Sequence, residues 1–173
     1  MNNKVEVIAV AKRHLLTTDI LVWGLAFTIP LVLSHPQPLV GTIVNSLLVV
    51  TARRMPIRSW LPIAILPSLG VIMHGVLFGS LTMFLIYFLP IIWLGNLIFM
   101  KVISLEGSAY AVNVLFGAVL KAGLLFFGAS LYLSLGLVPS LFLTAMGINQ
   151  LLTALSGGVV AWLALLILRE NHG

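Results

Sequence analysis

Long uncharged apolar runs dominate this chain, and residues 81–103 form the clearest of them. This run has no charged side chain before Lys101. It is long enough to cross a bilayer, since about 20 apolar residues span roughly 30 Å as a helix. It also contains Pro90 and a Gly95–Asn96 pair, which a simple membrane anchor does not need. Glycine permits the close approach of a second helix and a buried asparagine requires a hydrogen-bond partner, so the run predicts an inner helix of a polytopic membrane protein.

The composition of the chain agrees with this prediction and leaves no room for a sizeable soluble domain. Of 173 residues, 61% are hydrophobic and 8% are charged, whereas soluble domains carry about 25% charged residues. The formal net charge of +5 comes from basic residues that lie mostly at the ends of apolar runs. These residues indicate orientation in a membrane rather than nucleic-acid binding. Cysteine is absent, which excludes disulfides and thiolate metal sites.

The apolar runs predict an all-α, polytopic bundle of six transmembrane helices within a domain at residues 19–168. Residues 1–18 are expected to form a cytoplasmic or interfacial segment, with Thr18 and Asp19 capping the first membrane helix. Residues 169–173 are expected to form a cytoplasmic tail. The predicted spans lie at residues 20–34, 39–52, 59–79, 81–103, 108–136 and 139–168.

Basic residues give this bundle a predicted orientation. They occur in the N-terminal segment, in the 53–58 loop, at Lys101 and at Arg169, all on one side of the six-span topology. The positive-inside rule therefore places both termini in the cytoplasm. The turns on the opposite side contain no Lys or Arg; they are residues 35–38, 79–80 and 136–139.

Five of the predicted helices each carry one stripe of small or polar residues, because residues at i, i+4 and i+7 share a helix face. Lys121 is the most informative member. It lies near the middle of its span, where a charged residue costs about 3 kcal/mol to insert. The interiors of the predicted spans contain no Asp or Glu to pair with it. Lys121 is therefore expected either to contact an asparagine or a free carbonyl, or to hold an electronegative ligand group.

Other polar and aromatic side chains are candidates to line a binding pocket. A lone His on an inner helix either packs through a hydrogen bond or contacts a ligand. An inner Asn either joins two helices or reads the edge of a ligand, and a Trp either fills the core or stacks on a ring. The candidate substrate-binding residues are His74, Asn96, Lys121, Asn149, Gln150, Asn45 and Trp93.

Motifs of the common enzyme classes are missing from the sequence. It contains no G-x-x-x-x-G-K-[ST] loop, no H-E-x-x-H, no G-x-S-x-G and no pair of carboxylates inside the spans. These motifs supply nucleotide binding, metal-assisted hydrolysis and acyl transfer. We therefore predict a protein that is not an enzyme, that binds no ATP by a Walker loop and that uses no cofactor.

Three segments of the predicted helices form recognisable motifs: GTIVNSLL at residues 41–48, LPIIWLGN at 89–96 and NQLLTALSGG at 149–158. These segments resemble the substrate-binding S components of energy-coupling factor (ECF) transporters, and they look closest to members with no assigned substrate. The resemblance implies a six-helix protein of a prokaryotic cell membrane that binds a vitamin or similar micronutrient near its outer face. It also implies delivery through a transmembrane coupling protein driven by two ATPase subunits.

The same resemblance implies a contact with the coupling protein and bears on metal transport. Family members often use small residues four apart on the first helix for that contact, and Gly24 and Thr28 have this spacing, although not as an Ala-x-x-x-Ala pair. The metal-transporting relatives carry a His directly after the initiator Met, whereas this chain begins Met1-Asn2-Asn3, so no metal is expected. Two other functions stay open at this level: a structural or assembly subunit of a membrane complex, and a small self-sufficient carrier or channel.

Overall fold

The computed structural model describes residues 2–33, 35–75 and 77–170, with side chains described between residues 17 and 167 except at 34, 76 and 77. Residues 171–173 of the predicted tail and the side chains of residues 1–16 lie outside this description. The described chain is almost entirely helical. Its α-helices are α1 (Asn2–Val32), α2 (Gln37–Arg54), α3 (Trp60–His74), α4 (Leu85–Ile103), α5 (Tyr110–Ser134), α6 (Leu141–Met146) and α7 (Ile148–Glu170).

Four helical stretches are long and apolar enough to cross a membrane, which confirms the predicted α-helical membrane bundle. The stretch Thr17–Val32 is apolar but shorter. α2 has 18 residues and ends on Arg53 and Arg54. It nevertheless lies inside the bundle, because its buried residues extend from Val40 to Ala52. The four stretches are Ile57–His74, Gly79–Ile103, Tyr110–Ser134 and Leu141–Ile167.

α2 is the central helix of the bundle. It packs along α7 and also contacts α1, α3 and α4, while α1 pairs with α3 and α4 pairs with α5. Two glycines let α2 and α7 approach closely. A Cβ atom at Gly157 would lie 2.6 Å from Cβ of Asn45, and one at Gly41 would lie 2.9 Å from Cγ2 of Thr153. The small-residue stripes predicted on these two helices therefore face each other.

The apolar core is divided into two clusters with a polar layer between them. One cluster includes Leu48, Phe99, Ala118 and Ala154. The other includes Phe88, Leu125, Phe142 and Met146. The buried polar residues of α4 and α5 lie between the two clusters, since Asn96 falls between Phe88 and Phe99 and Lys121 falls between Ala118 and Leu125. The chain thus places its most polar side chains midway along the bundle.

The predicted helix cap at Thr18 and Asp19 is wrong. α1 is continuous over Asn2–Val32, so Asp19 lies inside the helix. Its carboxylate is buried and accepts hydrogen bonds from Ser59 Oγ at 2.8 Å and from Arg58 Nε at 3.3 Å. A carboxylate removed from water requires such charge-assisted partners. Asp19 therefore ties α1 to the connection between α2 and α3.

Two predicted spans end or break earlier than expected, each at a glycine. α3 ends at His74 because Gly75 takes a left-handed conformation with φ of 77°, which glycine adopts without a steric penalty. An extended segment (Leu77–Ser80) follows. The predicted sixth helix is divided at Gly147 into α6 and α7. A Cβ atom at Gly147 would lie 2.9 Å from the Phe126 ring, so close packing excludes a larger residue there.

The predicted orientation can be tested with single cysteines, because the chain contains none of its own. Ser108 and Leu137 are exposed in connections at opposite ends of α5. We expect a membrane-impermeant maleimide to label Leu137→Cys in intact cells and to label Ser108→Cys only after permeabilisation. The reverse labelling pattern would place both termini outside the cell.

The close approach of α2 and α7 predicts a strong effect of one added methyl group. Gly157→Ala should lower the free energy of unfolding by about 1–3 kcal/mol, as overpacking typically does. Gly123→Ala is the matched control, since a Cβ atom there meets no other atom within 4 Å, and it should leave stability equal or slightly higher. The free energy of unfolding of both variants is measured in mixed detergent micelles. Equal stability of the two would show that α2 and α7 separate without cost.

Candidate functional site

The polar layer borders a water-accessible cavity of about 90 Å³. A water takes about 30 Å³ in the liquid, so the cavity has room for roughly three waters or for one polar group of a larger ligand. Its walls come from α2, α3, α4, α5 and α7, with Met146 of α6 and Phe78 of the extended segment. The polar lining residues are Gln37, Asn45, Ser68, Asn96, Lys121, Asn149, Gln150 and Thr153.

Lys121 reaches this cavity from α5 and has 2% of its surface exposed. Its Nζ donates to Asn45 Oδ1 at 2.6 Å and lies 5.6 Å from the centroid of the Phe99 ring, within cation–π range. An ammonium group has three N–H donors. Asn45 is the one hydrogen-bond acceptor that Lys121 has among the described residues, so donor capacity remains for a ligand.

A glycine on the neighbouring helix makes space for the stem of this lysine. A Cβ atom at Gly95 of α4 would lie 3.4 Å from Cγ of Lys121. The aliphatic stem therefore runs past α4 at the point where α4 has no side chain. Gly95 had been expected to permit the close approach of another helix, and here it also accommodates the inward-pointing side chain of Lys121.

Asn45 connects Lys121 to α7 through a chain of hydrogen bonds. Its Nδ2 donates to Gly41 O at 2.8 Å and to Thr153 Oγ1 at 3.3 Å. The Thr153 hydroxyl in turn donates to Asn149 O at 2.8 Å. Each group of Asn45 therefore has a partner, and the network joins α2, α5 and α7. Asn45 therefore has the first of the two roles predicted for an inner asparagine, which is to join helices.

Asn96 differs from Asn45, because half of its amide has no partner. Its Nδ2 donates to Ala64 O at 2.9 Å. Its Oδ1 is buried and accepts no hydrogen bond from the described residues, and the residue lines the cavity. Leaving such an acceptor unpaired costs about 1–3 kcal/mol. Because this oxygen has almost no accessible surface, a ligand N–H or O–H would pair with it only if the cavity wall rearranged on binding.

Five of the seven predicted substrate-binding residues meet at this cavity, and two do not line it. The five are Asn45, Asn96, Lys121, Asn149 and Gln150. His74 lies at the end of α3, where its Nδ1 makes a 2.5 Å hydrogen bond with Leu31 O. Trp93 donates from Nε1 to Ser68 Oγ at 2.8 Å, so it contacts a lining residue without lining the cavity itself.

Three polar lining residues were absent from the predicted set. Thr153 belongs to the same stripe of α7 as Asn149, so the helix period carried a signal for it. Gln37 is the first residue of α2 and had been assigned to a turn. Ser68 also bonds to Ile65 O within its own helix. Neither of the last two lies on a recognisable polar stripe, so periodicity alone does not find them.

The residues proposed to contact a coupling protein lie on an uncovered part of α1. Gly24 and Thr28 are exposed, and a Cβ atom at Gly24 would meet nothing within 4 Å. This surface is therefore free for a partner or for lipid. Metal ligation has no visible basis in the described part of the chain, which contains no cluster of three or more His, Cys, Asp or Glu residues.

Comparisons of this chain with protein-family models, with curated proteins and with solved structures found no match.

The network predicts energetic coupling between Asn45 and Lys121. Asn45→Ala should cost roughly 2–3 kcal/mol of unfolding free energy, because it leaves a buried ammonium group without its acceptor. The double variant with Lys121→Met should cost less than the sum of the single variants, by about 0.5–3 kcal/mol.

Asn113 provides the control for this cycle. It is buried on α5 and donates to Leu105 O, about 12 Å along the helix from Lys121 at the usual rise per residue. Asn113→Ala and Lys121→Met should be additive within about 0.5 kcal/mol. Additivity in both pairs would contradict the Lys121–Asn45 contact.

Proposed function

We propose that this chain is a membrane-embedded substrate-capture subunit that binds a vitamin or similar small micronutrient in the cavity of the polar layer. The observation that supports this most directly is Lys121, which lines the cavity and keeps unused donors among the described residues, next to the unpartnered Oδ1 of Asn96. Buried polar groups are almost always paired. A cavity that combines an unused acceptor with unused donors therefore favours a ligand that supplies the complementary groups.

The lining residues indicate the chemistry of that ligand. Lys121 suits an electronegative or anionic group such as a carboxylate, and Asn96 Oδ1 suits an N–H or O–H donor. Gln37, Asn149 and Gln150 offer amides for further edge contacts. Among the described residues, the cavity lining includes no Asp or Glu, so a cationic ligand would meet Lys121 without a counter-charge. We therefore favour a small, neutral or anionic molecule that carries its own donor.

Delivery of the ligand is proposed from the resemblance to ECF S components. Such a subunit acts with a transmembrane coupling protein and two ATPase subunits in a prokaryotic cell membrane. The sequence has no nucleotide-binding loop of its own, which agrees with ATP hydrolysis on separate chains. The exposed surface around Gly24 and Thr28 on α1 is the proposed contact for the coupling protein.

One observation favours a structural subunit as the second candidate. The hydrogen bonds of Asn45 with Lys121 and Thr153 connect three helices and leave Asn45 fully paired. A network of this kind stabilises a bundle without any ligand. The two candidates differ in what they predict for the unpartnered Asn96 Oδ1, because only capture requires a molecule to reach it.

A binding experiment separates them. Purified protein is heated with single water-soluble vitamins, including nicotinate, pantothenate, biotin and the cation thiamine. At about 100 times its Kd, a bound ligand adds about 2.7 kcal/mol to stability, so one neutral or anionic compound should raise the melting temperature and thiamine should not. Lys121→Met should weaken binding roughly 10- to 100-fold through loss of a charged hydrogen bond. Lys101→Met is the control, because Lys101 is exposed and outside the cavity.

Asn96→Leu distinguishes binding from folding in the same assay. The substitution removes the unpaired oxygen and also the hydrogen bond from Nδ2 to Ala64 O. These two effects on stability have opposite signs and similar size, so the ligand-free protein should stay within about 1 kcal/mol of the parent stability while the ligand-induced rise is lost. No stabilisation by any compound, together with a destabilised Asn96→Leu, would favour the structural subunit. Uptake into liposomes that contain only this chain would contradict a capture subunit that depends on separate ATPases.

A further inference from the structure

A second site lies away from the cavity, where α2 ends, α5 begins and α7 approaches its end. Here Arg53, Arg54, Ser108 and Tyr110 line an open cleft of about 440 Å³ with Trp162, Leu165 and Leu166. The proposed capture function makes no use of this cleft. Its described lining residues combine two cations with apolar and aromatic side chains, and none of them carries a carboxylate.

Neither Arg53 nor Arg54 has an ion-pair partner among the described side chains, where the ion pair found joins Arg58 to Asp19. Arg53 Nε is buried and has no hydrogen-bond partner among the described residues. The Arg53 guanidinium lies 5.5 Å from the centroid of the Tyr110 ring. Guanidinium groups bind phosphate oxygens through paired N–H donors. The cleft is therefore complementary to a phosphate group.

An apolar groove continues from this cleft along α5 and α7. Its volume is about 420 Å³, and Tyr110 and Trp162 line both spaces. The Tyr110 hydroxyl donates to Gly158 O at 2.6 Å, which holds the aromatic ring at the junction. The remaining groove residues are small or apolar: Ala111, Val114, Leu155, Gly158 and Val159.

We propose that the cleft and the groove together bind one anionic phospholipid, with its phosphate on Arg53 and Arg54 and an acyl chain in the groove. The positively charged cleft adjoins the apolar groove. This arrangement matches a phospholipid, in which a charged headgroup adjoins hydrocarbon chains. Val159 and Trp162 are 60% and 48% exposed, so the groove opens on the outer surface of helices that cross the membrane. Tryptophan is common at the headgroup level, and basic pockets between membrane helices bind anionic headgroups.

Native mass spectrometry of the full chain, extracted from bilayers of phosphatidylcholine and phosphatidylglycerol, tests this proposal. We expect one phosphatidylglycerol to be retained per chain in preference to phosphatidylcholine. Arg53→Gln and Arg54→Gln should each weaken retention roughly fivefold, as loss of one basic residue near anionic lipid does. Lys101→Gln removes the same charge from an exposed position outside the cleft and should leave retention unchanged.

A groove variant separates a lipid from a free phosphate. Val159→Trp fills the groove from an exposed position, so it should abolish lipid retention without unfolding the chain. Val160→Trp is the matched control, because Val160 is also exposed but does not line the groove. Displacement of phosphatidylglycerol by millimolar inorganic phosphate, with no effect of Val159→Trp, would show a phosphate site and overturn the lipid assignment.

Equal retention of the two phospholipids would also overturn the proposal. So would variants at Arg53 and Val159 that leave lipid retention unchanged but weaken assembly with an ATPase-driven coupling module, because the surface would then be a protein interface. All of these results are independent of vitamin binding. The lipid proposal and the capture proposal therefore succeed or fail separately.

Discussion

The cost of keeping Lys121 away from water is the constraint on which the centre of this bundle depends. An ionisable side chain at mid-membrane depth must find partners inside the protein. Asn45 supplies the acceptor at 2.6 Å, Phe99 supplies a ring face, and Gly95 leaves space for the stem. These contacts draw α2, α4 and α5 together around one side chain. α2 carries two arginines in its last turn, yet it occupies the middle of the bundle, where Asn45 meets Lys121 and the helix packs along α7.

The polar layer lies beside the cavity, between two apolar clusters. The clusters are filled by large side chains such as Phe88 and Phe99. Asn45, Asn96 and Lys121 of the layer all line the cavity. Asn45 is fully paired, whereas Asn96 retains an acceptor that no described residue uses. Asn45 therefore stabilises the contact between helices, and the binding that we propose rests on Lys121 and Asn96.

The two proposed sites, the cavity and the arginine cleft, differ in chemistry and lie at different depths of the bundle. In the middle of the bundle, polar groups line a partly open cavity, and a small polar molecule is the ligand that we propose there. Near the end of α2, Arg53 and Arg54 stand beside an apolar groove that opens outward, and an amphipathic molecule is the ligand that we propose there. In both places the residues that matter are those whose hydrogen-bonding capacity the protein itself leaves unused.

The sequence by itself determined the helical membrane class, the approximate extent of α4 and α5, and the position of Lys121 inside a membrane helix. The length of an apolar run and the presence of a charged residue within that run are local properties of the sequence. Helix periodicity also placed Asn45, Asn96 and Asn149 on inward faces. Only the tertiary structure decided that Asn45 is the partner of Lys121, since that contact joins residues 76 positions apart. It likewise placed His74 against Leu31 O rather than in the cavity lining, and it moved Asp19 from a helix cap to a partner of Ser59 and Arg58. Periodicity specifies which face of a helix is polar, whereas the choice of partner depends on how the helices pack.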